Sequence, residues 1–478
     1  MLARLLRGVK YHWPVLLGLA VLAGYWLLPI SGQVVVTLGS ERPAPAWPQM
    51  RLEGATLQVS DDVPWAHVLV TVNGAAVYPE KWWQNPDGSW TWQWTLSTQA
   101  AGGAAITFYH DCHTGCVERG RLAIGPLPTP QPAAPLPTKL GVAFADPLRD
   151  WHGRAGWDVE LAYCRPDEQP YWSIDELAAR VYAALAKGLR VLVRVDYAPG
   201  QSLPPGGDYA GLSEYVAYAE RLARDVRLQG VYGYVIGSGY NAHDANALAP
   251  EQPVTPAWYA RVFSGYGEAA TRTDNVVQAL RAANPVVRVL VGPVRPWVAD
   301  QGDPPAPWLG YMNSLVAALD EAARTKAAAG IPLAAPDGFA LQAPGRPAAA
   351  ELTGRSGAEE PRLDLKRASW QGAQAGFRVY RDWLAIINAY PATRGLPAYI
   401  TSSNTYAPDD GAPPAQNYPR GWLSAALAEA DAEPQVQALV WFLDGPLGDA
   451  QWDGFSLARR QGHAAEAADE FDALLKLE

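Results

Sequence analysis

The hydrophobic pattern of the chain changes character along its length. Between Gln33 and Gly125, short alternating or β-branched runs recur at 55–59, 66–72, 89–96, 105–109 and 121–124. Asn73-Gly74, Pro86-Asp87-Gly88 and Ala101-Gly102-Gly103 separate them as turns. Strands of this length and spacing predict a small all-β domain over residues 33–125, a sandwich of immunoglobulin-like type. Trp90, Trp92 and Trp94 lie two apart and share a face. That face either packs as core or, with Trp82 and Trp83 upstream, presents an aromatic platform. Residues 126–137 then form an extended proline-rich linker.

From Thr138 onward, continuous apolar runs alternate with segments of helical period. The runs at 140–144, 159–163, 189–195, 231–236, 287–292, 337–342, 397–401 and 436–442 predict strands buried on both faces. Helices are predicted between them. Ser173-Ile174-Asp175-Glu176 is a capping box, and Thr255-Pro256 is an N-cap followed by a first-turn proline. Further helical spacing covers 212–226, 308–329, 371–389 and 422–432. Roughly eight βα units over 138–478 predict an α/β TIM barrel, with its chemistry at the carboxyl ends of the strands.

The first 32 residues follow a different logic. Arg4, Arg7 and Lys10 precede an uncharged run over residues 13–30, about the ~18 residues that span a bilayer. Basic residues before the run and none close after it predict a cytoplasmic N-terminus and a single-pass signal anchor. The bulk of the chain then lies outside the cytoplasm, with a cleaved signal peptide as the competing expectation. Composition narrows the picture further. A hydrophobic fraction of 49% with 18% charged residues describes a folded protein, and a net charge of -10 speaks against nucleic-acid binding. The 20 Trp and 22 Tyr against 8 Phe favour rings with a polar edge, suited to sugar faces, cores and membrane interfaces alike. Cys112 and Cys116 flank His113 and follow His110; outside a membrane they predict a short-loop disulfide, with zinc ligation as the alternative. Cys164 is left as a buried thiol. No cofactor or metal is implied.

The stretch that organises the larger domain is Val231 to Asn241, VYGYVIGSGYN, a buried strand that breaks into a polar, aromatic turn. It resembles the end of the fourth strand in the large clan of retaining glycoside hydrolases built on a (β/α)8 barrel. There the strand ends in Gly-Asn-Glu, and the Glu is the general acid/base. The frame here reads Gly237-Ser238-Gly239, with Gly239 in the place of that Glu. In the same clan the nucleophile Glu ends the seventh strand after a Thr; here Thr401-Ser402-Ser403-Asn404 puts Ser402 in its place. Gln342 stands where a His is usual on strand six. Trp441-Phe442 and Trp452-Asp453-Gly454-Phe455 are similar to the clan's closing segment.

A retaining glycosidase needs two carboxyl groups about 5 Å apart. The resemblance therefore implies a glycosidase barrel whose catalytic pair is absent: no catalytic residue, and degenerate positions at Gly239 and Ser402. The expected function is an anchored, extracytoplasmic, non-catalytic protein that binds an oligo- or polysaccharide, or a protein partner, at the barrel mouth. Tyr240, Asn241, Asn404, Tyr406 and Trp441 are the expected ligand-binding residues. Two alternatives stand beside it. One is an active glycosidase using relocated rim acids (Asp244, Asp409, Asp410, Asp444 or Asp453, or a His243–Asp244 pair). The other is a structural subunit of a membrane-protein assembly.

Overall fold

The computed structural model describes residues 47–476, apart from 54–55, 73–74, 97–103, 113–115, 125–135, 167–171, 299–305, 332–333, 347–364, 408–410, 446 and 448–449. The anchor expected over residues 13–30 lies outside the described residues, and so does most of the proline-rich linker. Among the described residues no helix is long and apolar enough to cross a membrane. The chain divides into two compact units, Met1–Pro128 and Thr129–Glu478.

Among the described residues of the smaller unit, eight strands follow one another: β1 (Gln49–Glu53), β2 (Thr56–Asp61), β3 (Leu69–Val72), β4 (Ala75–Val77), β5 (Lys81–Gln84), β6 (Trp90–Thr95), β7 (Ala104–His110) and β8 (Val117–Ile124). They pair into two antiparallel sheets, ordered β1-β2-β6-β5 and β4-β3-β7-β8. Register places Leu57 opposite Trp94 and Val59 opposite Trp92. These four residues pack against Val70, Ile106 and Phe108 of the other sheet. Trp94 also donates its indole N–H to the Val77 carbonyl at 2.9 Å. The tryptophans of β6 are therefore core. Rings left in solvent include Tyr78 and, on the edge strand β5, Trp82, 63% exposed. Cys112 and Cys116 form the expected disulfide.

The larger unit is built on eight parallel strands. These are β9 (Leu140–Ala143), β10 (Trp157–Tyr163), β11 (Arg190–Asp196), β12 (Gly233–Ile236), β13 (Arg288–Val291) and β14 (Gly338–Gln342). After a short hairpin, β15 (Lys366–Arg367) and β16 (Ala373–Gln374), come β17 (Ala398–Ser403) and β18 (Val436–Trp441). They close into a barrel in the order β10-β11-β12-β13-β14-β17-β18-β9. Helices follow seven of the barrel strands. Ser173 and Thr255 cap theirs as expected, accepting from the Glu176 and Trp258 amides.

Two expectations are corrected. No helix lies between β9 and β10. That loop instead turns Trp151 edge-on to Phe471 of the C-terminal helix Ala464–Lys476, with ring centroids 5.9 Å apart. The helix expected over 371–389 spans only Val379–Ile387. Gln371 and Gly372 take φ of +55° and +86°, left-handed values that turn the chain back into the β15–β16 hairpin and cannot continue a helix.

Side chains alternate between the barrel interior and the helix layer. On β10, Trp157, Val159 and Leu161 face inward, and on β11 Leu192 does so while Val191, Val193 and Val195 face the helices. The amino-terminal end is closed by Trp157, Tyr232 and Tyr399. Trp157 meets the other two edge-on at 5.0 and 5.3 Å, and the Tyr232 and Tyr399 hydroxyls stand 3.1 Å apart. The Arg288 guanidinium lies 4.1 Å from the Tyr232 ring centre. Replacing Trp157 with Ala is expected to cost roughly 3–5 kcal/mol of barrel stability, read from the barrel's urea-unfolding transition. A loss below about 1 kcal/mol would show that the plug does not carry the lower barrel.

Candidate functional site

The carboxyl ends of the strands form a mouth with two unlike halves. Around β17, β18, β9 and β10 the half-buried side chains are aromatic. Trp172 meets Tyr163 edge-on at 5.0 Å and Phe144 at 6.3 Å. Phe442 meets Trp452 at 5.6 Å, and Tyr406 meets Phe455 at 5.2 Å. Around β11, β12, β13, β14 and β17 the inward or rim positions are polar: Arg194 and Asp196, Ser238, Arg295, Gln342 and Ser402.

The strand-four turn is built on glycine at two points. Gly237 has φ +68°, and a Cβ there would lie 2.8 Å from Ser202 Oγ. That same hydroxyl accepts from the Ser238 amide at 2.7 Å. Gly239 has φ +64° and donates its amide to the Pro293 carbonyl at 2.8 Å. A Cβ on Gly239 would lie 3.1 Å from Arg295 Nη2 and 3.2 Å from Nε. The space that a side chain at 239 would enter is therefore held by a guanidinium. Across the mouth, Gln342 donates to Ser238 Oγ at 3.3 Å and pairs in register with Ser402, where β17 is bulged. Gly239 and Ser402 both lie at the carboxyl end of the barrel, and neither brings a carboxylate there.

Four of the five expected ligand residues are engaged elsewhere. Tyr240 is fully buried in the helix layer between Tyr259 and Tyr311, its hydroxyl donating to the Gly292 carbonyl at 2.8 Å. Trp441, the last residue of β18, packs outward against Tyr418 and Trp422 and donates to the Phe455 carbonyl. Asn241 brackets residue 295, accepting from its amide at 2.8 Å and donating to its carbonyl at 3.0 Å. Asn404 donates to the Phe442 carbonyl and accepts from the Tyr406 amide. Both asparagines are buried and hold loops in place. Tyr406 alone of the five remains half-exposed at the mouth.

The rim acids fare similarly. Asp444 is fully buried and accepts a fork of hydrogen bonds from Arg149. Asp453 pairs with Arg459 at 3.2 Å. Asp244 accepts from Arg295 Nη1 at 2.6 and 2.8 Å. Asp409 and Asp410 lie outside the described residues. Cys164 is half-buried, its thiol pushed up to about 12 by burial. A charged cleft of about 260 Å³ lies at the seam between the β9–β10 loop and the C-terminal helix. Its Arg149 and Arg460 both pair with Asp472.

The carboxyl that sequence reasoning missed is Asp196. Strand β11 alternates, so Leu192, Arg194 and Asp196 point inward. Asp196 is almost wholly buried. Its Oδ2 pairs with Arg194 Nη2 at 2.9 Å, while Oδ1 and Arg194 Nε have no partner among the described residues. Burial pushes its pKa up to about 6, against the lowering pull of Arg194. No second carboxylate contributes to that shift. Alternation along Arg190-Val191-Leu192-Val193-Arg194-Val195-Asp196 was the signal that would have found it.

No protein-family profile matches the chain, and no curated protein matches it. Solved structures do overlap it. A glucosidase from Croceicoccus marinus is 12% identical over 71% of this chain and 68% of its own, with a TM-score of 0.42. A broad specificity endoglucanase from Clostridium acetobutylicum is 12% identical over 69% and 95%, with a TM-score of 0.35. An endo-1,4-beta-mannanase from Eisenia fetida is 14% identical over 68% and 80%, with a TM-score of 0.31. The closed eight-strand parallel barrel itself defines the class of the larger unit, a (β/α)8 barrel.

A carboxyl whose pKa rises on folding contributes stability that is complete below its ordinary 3.8 and is lost as pH climbs through about 6. The Asp196 carboxyl is expected to titrate near 6 when followed by carbon NMR. Arg194→Met should raise that midpoint further by removing the opposing cation. A midpoint close to 3.8 in the native chain would contradict the burial of Asp196.

Proposed function

We propose that the chain is a membrane-anchored, extracytoplasmic binding protein whose barrel mouth holds a glycan without hydrolysing it. One observation carries this reading: the mouth is divided into an aromatic arc and a polar arc. A sugar ring has the matching division, with an apolar face that stacks on Trp or Tyr and hydroxyls at its edge for side chains such as Ser and Gln. The chemistry of double displacement has no support at the same place. Asp196 is a single carboxyl, and the room beside Gly239 belongs to Arg295. The serine at 402 has no histidine among its described hydrogen-bond partners to activate it. An anchor over residues 13–30 would put this mouth outside the cytoplasm, where polysaccharides are met.

The relocated-acid reading draws less support, because Asp444, Asp453 and Asp244 are each already paired with an arginine. Binding is tested by titrating the whole chain with plant and bacterial oligosaccharides, with tryptophan fluorescence and calorimetry as readouts. Tyr406→Ala and Trp172→Ala should each weaken the bound sugar about two- to tenfold, the range of one aromatic contact of about 0.5–1.5 kcal/mol. Binding that is indifferent to both variants would move the ligand away from this mouth.

A further inference from the structure

Arg295 is held in an unusual way. Its backbone amide and carbonyl are both bound by Asn241, so the loop position does not depend on the guanidinium. Its Nη1 donates both bonds to Asp244, a carboxylate 70% exposed. Its other two nitrogens face the opposite way. Nη2 and Nε stand 3.1 and 3.2 Å from the point a Gly239 Cβ would occupy, nearer than Cζ at 3.5 Å. The guanidinium therefore turns its Nε–Nη2 edge, two parallel N–H donors, toward the side-chain-free space over Gly239. Neither nitrogen has an acceptor among the described residues.

From this geometry we infer that the mouth takes an acidic saccharide, one bearing a sugar carboxylate that Arg295 binds through its Nε–Nη2 edge. The inference rests on the glycan-binding reading of the mouth and names the class of sugar. A planar fork of two N–H donors fits the two oxygens of a carboxylate, and that match distinguishes arginine from lysine. Asp244 does not compete for that edge, because it occupies Nη1. Being exposed, it is also a weak and screened partner. Glycine at 239 is required as well, since any side chain would enter the space before the fork. The second arginine of the polar arc, Arg194, likewise has a buried Nε without a partner among the described residues.

The test uses the whole chain and three probes: a galacturonic-acid trisaccharide, its methyl ester, and a neutral trisaccharide of the same length. The acid is expected to bind about ten- to a hundredfold tighter than its ester, the range of a charge-assisted pair. Arg295→Ala should abolish that preference by bringing binding of the acid down to that of its ester, and Arg295→Lys should restore only part of it. Circular dichroism confirms folding of both variants, which the Asn241 bonds to the backbone at 295 lead one to expect. Equal binding of acid and ester would overturn the inference and leave the glycan-binding reading standing. So would an acid preference that survives in Arg295→Ala. If none of the three probes nor any other oligosaccharide binds, both fall together.

Discussion

An eight-stranded barrel is only wide enough for its own side chains, so each inward residue either fills it or faces its mouth. That constraint sorts the larger unit of this protein. Trp157, Tyr232 and Tyr399 fill the amino-terminal end, and small or branched residues such as Val235, Leu290 and Ala340 fill the middle. What remains at the carboxyl end is set by the same alternation carried one or two residues further. Arg194 and Asp196 reach the mouth because they continue the inward row of Leu192. Tyr240 and Trp441 leave it because their side chains face the helix layer.

The electrostatics of the mouth follow from one contact within that ring, the guanidinium of Arg295 beside Gly239. A general acid must hold its proton near neutral pH, which needs an environment that raises a carboxyl pKa. A cation in van der Waals reach does the reverse. On the proposed reading, the fourth-strand position has therefore lost more than a side chain. A carboxyl there would stand against a charge that opposes the acid's function, while the aromatic arc suited to a sugar face is still present. Asp196 fits the same account, as a buried carboxyl pushed upward but with no second carboxylate acting on it.

Much of this was legible in the chain. The strand–helix alternation after Thr138 located all eight barrel strands, because strands buried on both faces read as largely apolar runs. The short runs before Gly125 gave away two sheets, while the tryptophans at 92 and 94 stayed open between core and platform until the sheets were paired. Other features depended on contacts that no local pattern carries. Arg295 is 56 residues beyond Gly239 and meets it only because β12 and β13 are neighbours. Tyr240 read as a mouth residue because the turn is polar, yet the left-handed backbone at Gly237 and Gly239 rotates it toward Tyr259 and Tyr311. The missing first helix was hidden too, since Trp151 finds its partner, Phe471, at the far end of the chain.

On the proposed reading the barrel retains a saccharide mouth without a working acid and nucleophile. The most direct measurement is hydrolysis of a panel of aryl glycosides by the native chain, with a Gly239→Glu, Ser402→Glu double variant beside it. No turnover by the native protein is expected. None is expected from the variant either, because Arg295 would keep the new carboxyl at 239 ionised and the left-handed backbone there would strain it. Turnover that follows the native protein through purification, and is lost with Asp196→Asn, would contradict that reading.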